Sequence, residues 1–173
     1  MPKHPRASYA VTEASDKKCQ FVMGIDPGPT ESAYAIIRSD YTIVRAEKVL
    51  NHSLAIENWS CQLDGPCHVV IEGLACYGRP VGRETFETAY MVGRVIERAE
   101  QAGIGWTIYA RPEYANAIAG CGKVTDAVLR QALLLRFGSD LKDGPLHQLR
   151  GATDKRSAYT VAVYHLDKTK RGL

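Results

Sequence analysis

The sequence predicts a mixed α/β fold, with three antiparallel strands followed by alternating helices and strands and with helices on both faces of the sheet. Three observations predict it. Three apolar runs within residues 20–50 follow one another closely enough to form a meander. Beyond residue 67, two short β-rich runs, "CHVVIEG" and "WTIYA", alternate with stretches of helical periodicity. The chain has 173 residues, 45% hydrophobic and 24% charged, which suits one domain with a proper core and excludes wholesale disorder.

Residues 20–26 read as a buried strand, and Ser32–Arg38 and Tyr41–Leu50 as two more, joined by a tight turn at Ser39-Asp40. Leu54–Cys61 reads as a short helix. The fourth strand runs from His68 to Glu72, and "LACYGRPVG" follows as a loop. Arg83–Gln101 is the strongest helix, with Phe86, Tyr90, Met91, Val95 and Ala99 near helical spacing. Gly103 to Gly105 ends it, and "WTIYA" is the fifth strand. Pro112 suits the first turn of a short helix, where its missing N–H costs little. Val124–Phe137 is a further helix, stopped by Gly138. Residues 139–152 are a loop, and Asp154–Leu166 is the last helix.

The net charge of +3 permits a nucleic-acid partner without demanding one. Five cysteines, an odd number with no CxxC pair, read as reduced thiols in the cytoplasm rather than a zinc or disulfide framework. No apolar run approaches the ~20 residues of a membrane helix. Residues 1–19 are polar and basic without an apolar centre, and read as a flexible leader. The domain is expected over 20–167, with a basic tail at 168–173.

Two strands end in an acid, Asp26 in "GIDPG" and Glu72 in "VVIEG". In open α/β sheets, sites gather at the carboxyl ends of strands. If the first and fourth strands are neighbours, the two carboxylates face each other and repel unless cations lie between them. Hard divalent ions suit such oxygen ligands, and two of them about 3.5–4 Å apart serve phosphodiester cleavage. Asp154, opening the last helix, is the natural third acid. Taken singly, Asp26 also reads as a turn residue and Asp154 as a helix-capping or first-turn acid.

"GIDPG", a hydrophobic strand, "VVIEG" and an acid at the start of a C-terminal helix, in that order over residues 20–167, resemble the RuvC-type Holliday junction resolvases of the RNase H-like nucleases. "IEGLACYGRPVGRETFET" and "CGKVTDAVLRQALLLRFG" are most similar to RuvC-like proteins encoded by bacteriophages. The resemblance implies an RNase H-like five-stranded sheet, three strands antiparallel and two parallel. It implies Asp26, Glu72 and Asp154 as catalytic metal ligands, with two Mg²⁺ ions per site and Mn²⁺ as a substitute. The family usually carries a second acid three residues after the first on its last helix; here that position is Ser157, and Asp126 is the substitute to weigh, against its plain reading as a first-turn acid. The implied activity is paired symmetric nicking of branched DNA by a homodimer, in a bacterial cell or a phage-infected host.

Basic groups expected on the side where the strands end are Arg79, Arg83, Arg111, Lys123, Lys155 and Arg156; each also reads as a solvated surface charge. The family's base-stacking aromatic falls nearest Ala75, so Tyr77 is the candidate here. Two other readings stay open: an RNase H-like nuclease acting on RNA or hybrid, and a junction-binding protein that cuts weakly or not at all. An actin-like ATPase is disfavoured by the chain's length.

Overall fold

The computed structural model describes residues 20–54, 67–74, 80–122 and 124–172. The five strands are β1 (Phe21–Asp26), β2 (Glu31–Arg38), β3 (Ile43–Leu50), β4 (Cys67–Gly73) and β5 (Gly105–Ala110). The helices described are α1 (Arg83–Gln101), α2 (Arg111–Ala119), α3 (Asp126–Phe137) and α4 (Thr153–Lys170), with short 3-10 turns at Asn51–Ser53 and His147–Leu149. Strand order is β3-β2-β1-β4-β5. β1 pairs antiparallel with β2 and β2 with β3, while β1–β4 and β4–β5 are parallel. This is the expected mixed sheet.

Each element follows from its residues. β1, "FVMGID", is apolar almost throughout because it lies in the middle of the sheet with both faces covered. On one face Met23, Ile25, Ile36, Val69 and Ile71 meet Met91, Val95 and Ala99 of α1. On the other, Val22, Ala35 and Val70 meet α4, with Tyr114 of α2 and Leu129 and Leu133 of α3 beyond. α2 starts directly after β5 with proline in its first turn. Thr125 caps α3, its hydroxyl accepting from the Val128 amide at 3.4 Å.

Gly24 fixes where α4 crosses the sheet. A Cβ there would stand 1.9 Å from the Ala158 carbonyl oxygen, so only glycine admits the helix. Asp154 lies about one helical turn before that crossing, over the carboxyl end of β1.

Several expected bounds shift. β3 begins at Ile43, because Tyr41 takes a left-handed conformation (φ 72) in the turn after β2. A 3-10 turn at Asn51–Ser53 precedes the helix expected over Leu54–Cys61, Leu54 itself is extended, and residues 55–61 lie outside the described residues. Within α1, Thr88 joins Met91, Val95 and Ala99 on the buried face, whereas Phe86 and Tyr90 point to solvent. α4 runs to Lys170, past the expected end at Leu166. The leader 1–19 and the loop 75–79 lie outside the described residues.

Candidate active site

In-register pairing brings the acids together. Ile25 of β1 stands beside Ile71 of β4, so Asp26 and Glu72 follow side by side at the sheet's edge. Asp26 also pairs with Ala33, and Ala33 with Lys48. Lys48, Ala33, Asp26 and Glu72 therefore form one row, facing α4. Asp154 comes down onto this row from the first turn of α4.

The Asp26 carboxyl is pushed up to about 8, first by burial and then by the negative charges of Glu72 and Asp154; Arg111 and Lys48 only partly offset this. Among the described residues no side chain donates a hydrogen bond to the Asp26 carboxylate and none pairs with it. It is a half-buried acid whose negative surroundings outweigh the cations near it.

Its neighbours are committed. Glu72 accepts a hydrogen bond from the Tyr114 hydroxyl at 2.6 Å and stands 3.5 Å from the Arg111 guanidinium. Burial raises its pKa, while these two partners pull it back down. Asp154 pairs with Lys48 at 2.7 Å, and the same ammonium lies 3.6 Å from Glu31. That bond, with the Asp154 charge, holds the lysine above its ordinary pKa. Thus Asp26 feels both other acids, but among the described residues no three acid, histidine or cysteine side chains stand close enough to hold one metal ion together.

A cleft of about 330 Å³ opens beside this row, lined by Asp26, Pro27, Gly28, Thr30, Lys48 and Asp154 among others. Its rim is braced. Asn51 donates to the Gly28 carbonyl at 3.0 Å and accepts from the buried Ser32 hydroxyl at 2.7 Å, which itself meets the Gly28 amide at 3.4 Å. At Gly28 a Cβ would meet the Glu31 carbonyl oxygen at 2.4 Å, so the turn after Asp26 is too tight for any other residue.

Donor chemistry decides whether a divalent ion fits. The Asp26 and Asp154 carboxylates and the cleft's open side supply hard oxygen ligands and room for water, as Mg²⁺ requires. An ion there would also offset the negative charge that Arg111 and Lys48 balance only in part. Beside Glu72 the surroundings differ. Arg111 opens α2 and reaches back, donating to the Ser157 hydroxyl at 2.7 Å and to the Asp126 carboxylate.

The remaining candidates are placed as follows. Ser157 is buried, 1% exposed, behind Arg111. Asp126, at the start of α3, reaches the site through Arg111. Lys155 donates to the Gln148 carbonyl, and Arg156 to the Leu149 carbonyl at 3.2 Å, so both brace the turn leading into α4. Arg83 is exposed at the start of α1 and pairs with Glu87 at 2.7 Å. The other acid of α4, Asp167, is no candidate: it sits at the far end of the helix, bound to Arg136 and Tyr41. Tyr77, Arg79 and Lys123 lie outside the described residues.

Lys48, Tyr114, Ser32 and Asn51 were not singled out from sequence. Lys48 alone left a signal: counting register across the meander places it two strands from Asp26 in the same row.

No protein-family profile matches the chain, and no curated protein matches it. Solved structures do. Thermus thermophilus RuvC in complex with a Holliday junction substrate superposes with a TM-score of 0.69 at 18% identity, over 88% of this chain and 96% of that one. A second T. thermophilus RuvC structure gives a TM-score of 0.68 at the same identity and coverage. With its mixed five-stranded sheet and α4 laid across β1, this chain has the RuvC-type, RNase H-like fold.

Proposed function

We propose that the protein is a divalent-metal-dependent endonuclease that resolves Holliday junctions and related branched DNA. The observation that carries this reading is Asp26: a half-buried carboxylate flanked by two further acids, whose charge Lys48 and Arg111 offset only in part, on the rim of an open cleft. The RuvC-type fold supports the substrate class, since the T. thermophilus protein of that fold was solved with a Holliday junction.

Asp26 and Asp154 are the proposed ion ligands, with Glu72 completing the catalytic acids. An ion held there would supply Lewis-acid activation of water for attack on phosphorus. The P–O3′ bond would break, water's oxygen would stay on phosphorus and its proton would end on the departing 3′ oxygen, so the products would be a 5′ phosphate and a 3′ hydroxyl. Lys48, which pairs with one oxygen of Asp154 at the cleft, would serve as a cation for the incoming backbone. Tyr114 orients Glu72 through its short hydrogen bond. Mg²⁺ is the proposed ion, with Mn²⁺ as a substitute. Of the two ions that the sequence reading expects, the geometry supports a place for one in the cleft; the place beside Glu72 holds a guanidinium. Arg83, with Tyr77, Arg79, Lys123, Lys155 and Arg156, remains proposed for DNA contact.

Paired nicks require two sites facing opposite strands, so we propose a homodimer with two-fold symmetry. Its proposed contact is the outer face of α1, where Phe86 and Tyr90 are exposed. No described helix is long and apolar enough to cross a membrane. The proposed setting is the cytoplasm of a bacterial or phage-infected cell.

The test is cleavage of a labelled four-way junction, with linear duplex and an RNA–DNA hybrid as competitors, in Mg²⁺, Mn²⁺ or EDTA. Metal-dependent nicking of the junction in preference to both competitors is expected, and its loss in Asp26→Asn. Preferred cutting of the hybrid would move the assignment to an RNA-directed nuclease. Junction binding without any nicking would leave a binding protein.

A further inference from the structure

The Arg111 guanidinium stands among oxygens that would otherwise suit a metal ion. Its reach is set by the backbone. β5 pairs with β4 through Glu72 beside Tyr109 and Gly73 beside Ala110, so Arg111 begins one residue beyond the sheet's edge, next to Glu72. From there one terminal nitrogen lies 2.7 Å from Ser157 Oγ and 3.5 Å from Glu72 Oε1, while the other donates to Asp126. Two carboxylates on separate elements and a buried hydroxyl thus converge on one planar cation.

Two features make this arrangement incompatible with a divalent ion at the same place. An ion held by Glu72 would stand within a few ångströms of a half-buried positive charge, where repulsion is weakly screened. Moving Arg111 aside would leave the Ser157 hydroxyl, only 1% exposed, without its donor and would offer the ion a neutral oxygen rather than a carboxylate. Arginine also suits the place on its own account, because its fork donates to several oxygens at once and never loses its charge.

We propose that Arg111 is the site's second cation: the protein binds one divalent ion per chain, on the Asp26–Asp154 side, and the guanidinium holds the position that a second ion would take beside Glu72. This rests on the reading of the site as a metal-dependent nuclease. Its consequence is that a phosphate entering the cleft meets one exchangeable cation and one covalently fixed one.

The experiment counts ions directly, without DNA and without turnover. Mn²⁺ is titrated into the full chain while the unbound ion is followed by its paramagnetic resonance signal. Wild type is expected to bind one Mn²⁺ per chain, and Arg111→Lys, which keeps the charge, one as well. The double variant Arg111→Gln/Ser157→Asp is expected to bind two, the second within about tenfold of the first. Two ions on wild type overturn the inference and leave the nuclease reading standing. A double variant that melts cooperatively yet binds only one ion also overturns it. No binding by wild type at millimolar Mn²⁺ overturns the metal-dependent reading itself, and this inference with it.

Discussion

The Asp26 side chain carries opposite consequences for stability and for chemistry. Its folded-state pKa of about 8 lies above the ordinary 3.8, so between these values the folded protein holds a proton that the unfolded chain has lost. The ion-free protein is therefore stabilised by protonation below about pH 4 and loses that contribution as pH rises towards 8. Asp26→Asn removes the burden. In the ion-free state the variant is expected to be more stable than wild type by about 1–3 kcal/mol at pH 8, to gain nothing from added Mg²⁺, and to lose nicking. Urea midpoints at pH 5 and pH 8 check this; an Asn variant less stable than wild type at pH 8 would show that the carboxylate is not held against its preference. Two histidines act in the other direction. His68 and His165 stack at 4.4 Å between ring centres, bonded to Thr107 and Tyr109, and burial lowers them to about 4 and about 3 from an ordinary 6.5. Both are neutral when folded, so below pH 6.5 the unfolded chain binds protons that the folded one refuses. Stability is expected to fall by about 1.4 kcal/mol per pH unit per histidine from pH 6 towards pH 4, and His165→Phe is expected to flatten that fall in the same urea series. These residues also mark how far the site was legible. Asp26, Glu72 and Asp154 are visible in sequence because each sits where an element ends or starts. Lys48 is visible only by counting register across the meander, and Tyr114 not at all, because the packing of α2 brings it to the acids.

Among the elements, α4 decides whether the acids meet at all. It lies on β1 through a contact of backbone on backbone at Gly24 and Ala158. A methyl group at Gly24 has no rotamer by which to escape, so the helix must shift. Gly24→Ala is expected to cost about 3 kcal/mol and to reduce nicking more than this loss implies, because Asp154 moves with the helix. Chemical denaturation and junction cleavage, both measured at a temperature where the variant remains folded, separate the two effects; full activity in the folded variant would show that the spacing of α4 from β1 does not set the site. The same helix shows what local pattern leaves out. Its last residues, "DKTK", carry no apolar signal, and the sequence reading ends the helix before them. They remain helical through distant partners: Asp167 accepts from Tyr41 at 2.7 Å and from Arg136, and Lys170 donates to the Ser39 carbonyl at 2.7 Å. Tyr41 shows the converse. A β-forming residue read as the start of a strand is placed instead in a left-handed turn, where its hydroxyl reaches α4. The strands themselves were legible because β1, β2 and β4 are apolar on both faces, and α1 because its bounds coincide with a polar start and the Gly103–Gly105 stop.

At the scale of the whole molecule, the outer face of α1 has no partner among the described residues that explains its composition. Phe86 is 53% exposed and Tyr90 70%. Gly93 and Glu97 continue the same stripe at helical spacing. Glycine within a helix costs about 1 kcal/mol relative to alanine, yet nothing lies within 4 Å of where a Cβ on Gly93 would stand. No contact among the described residues calls for a glycine there, whereas the close approach of a second helix would. Two aromatic side chains beside a small residue are what a helix needs to pack against its own copy around a two-fold axis. Wild type is expected to sediment as a dimer at micromolar concentration, and Phe86→Glu/Tyr90→Glu as a monomer with unchanged urea stability, since neither side chain is in the core. The consequence for junctions is specific. On a supercoiled plasmid carrying an extruded cruciform, the proposed dimer is expected to make both nicks within the life of one complex and to yield linear product. The monomeric variant is expected to leave nicked circles, because each cut relaxes the plasmid and removes the substrate for the next. A variant that sediments as a monomer yet still yields linear product at the wild-type rate would show that the two cuts do not depend on this contact.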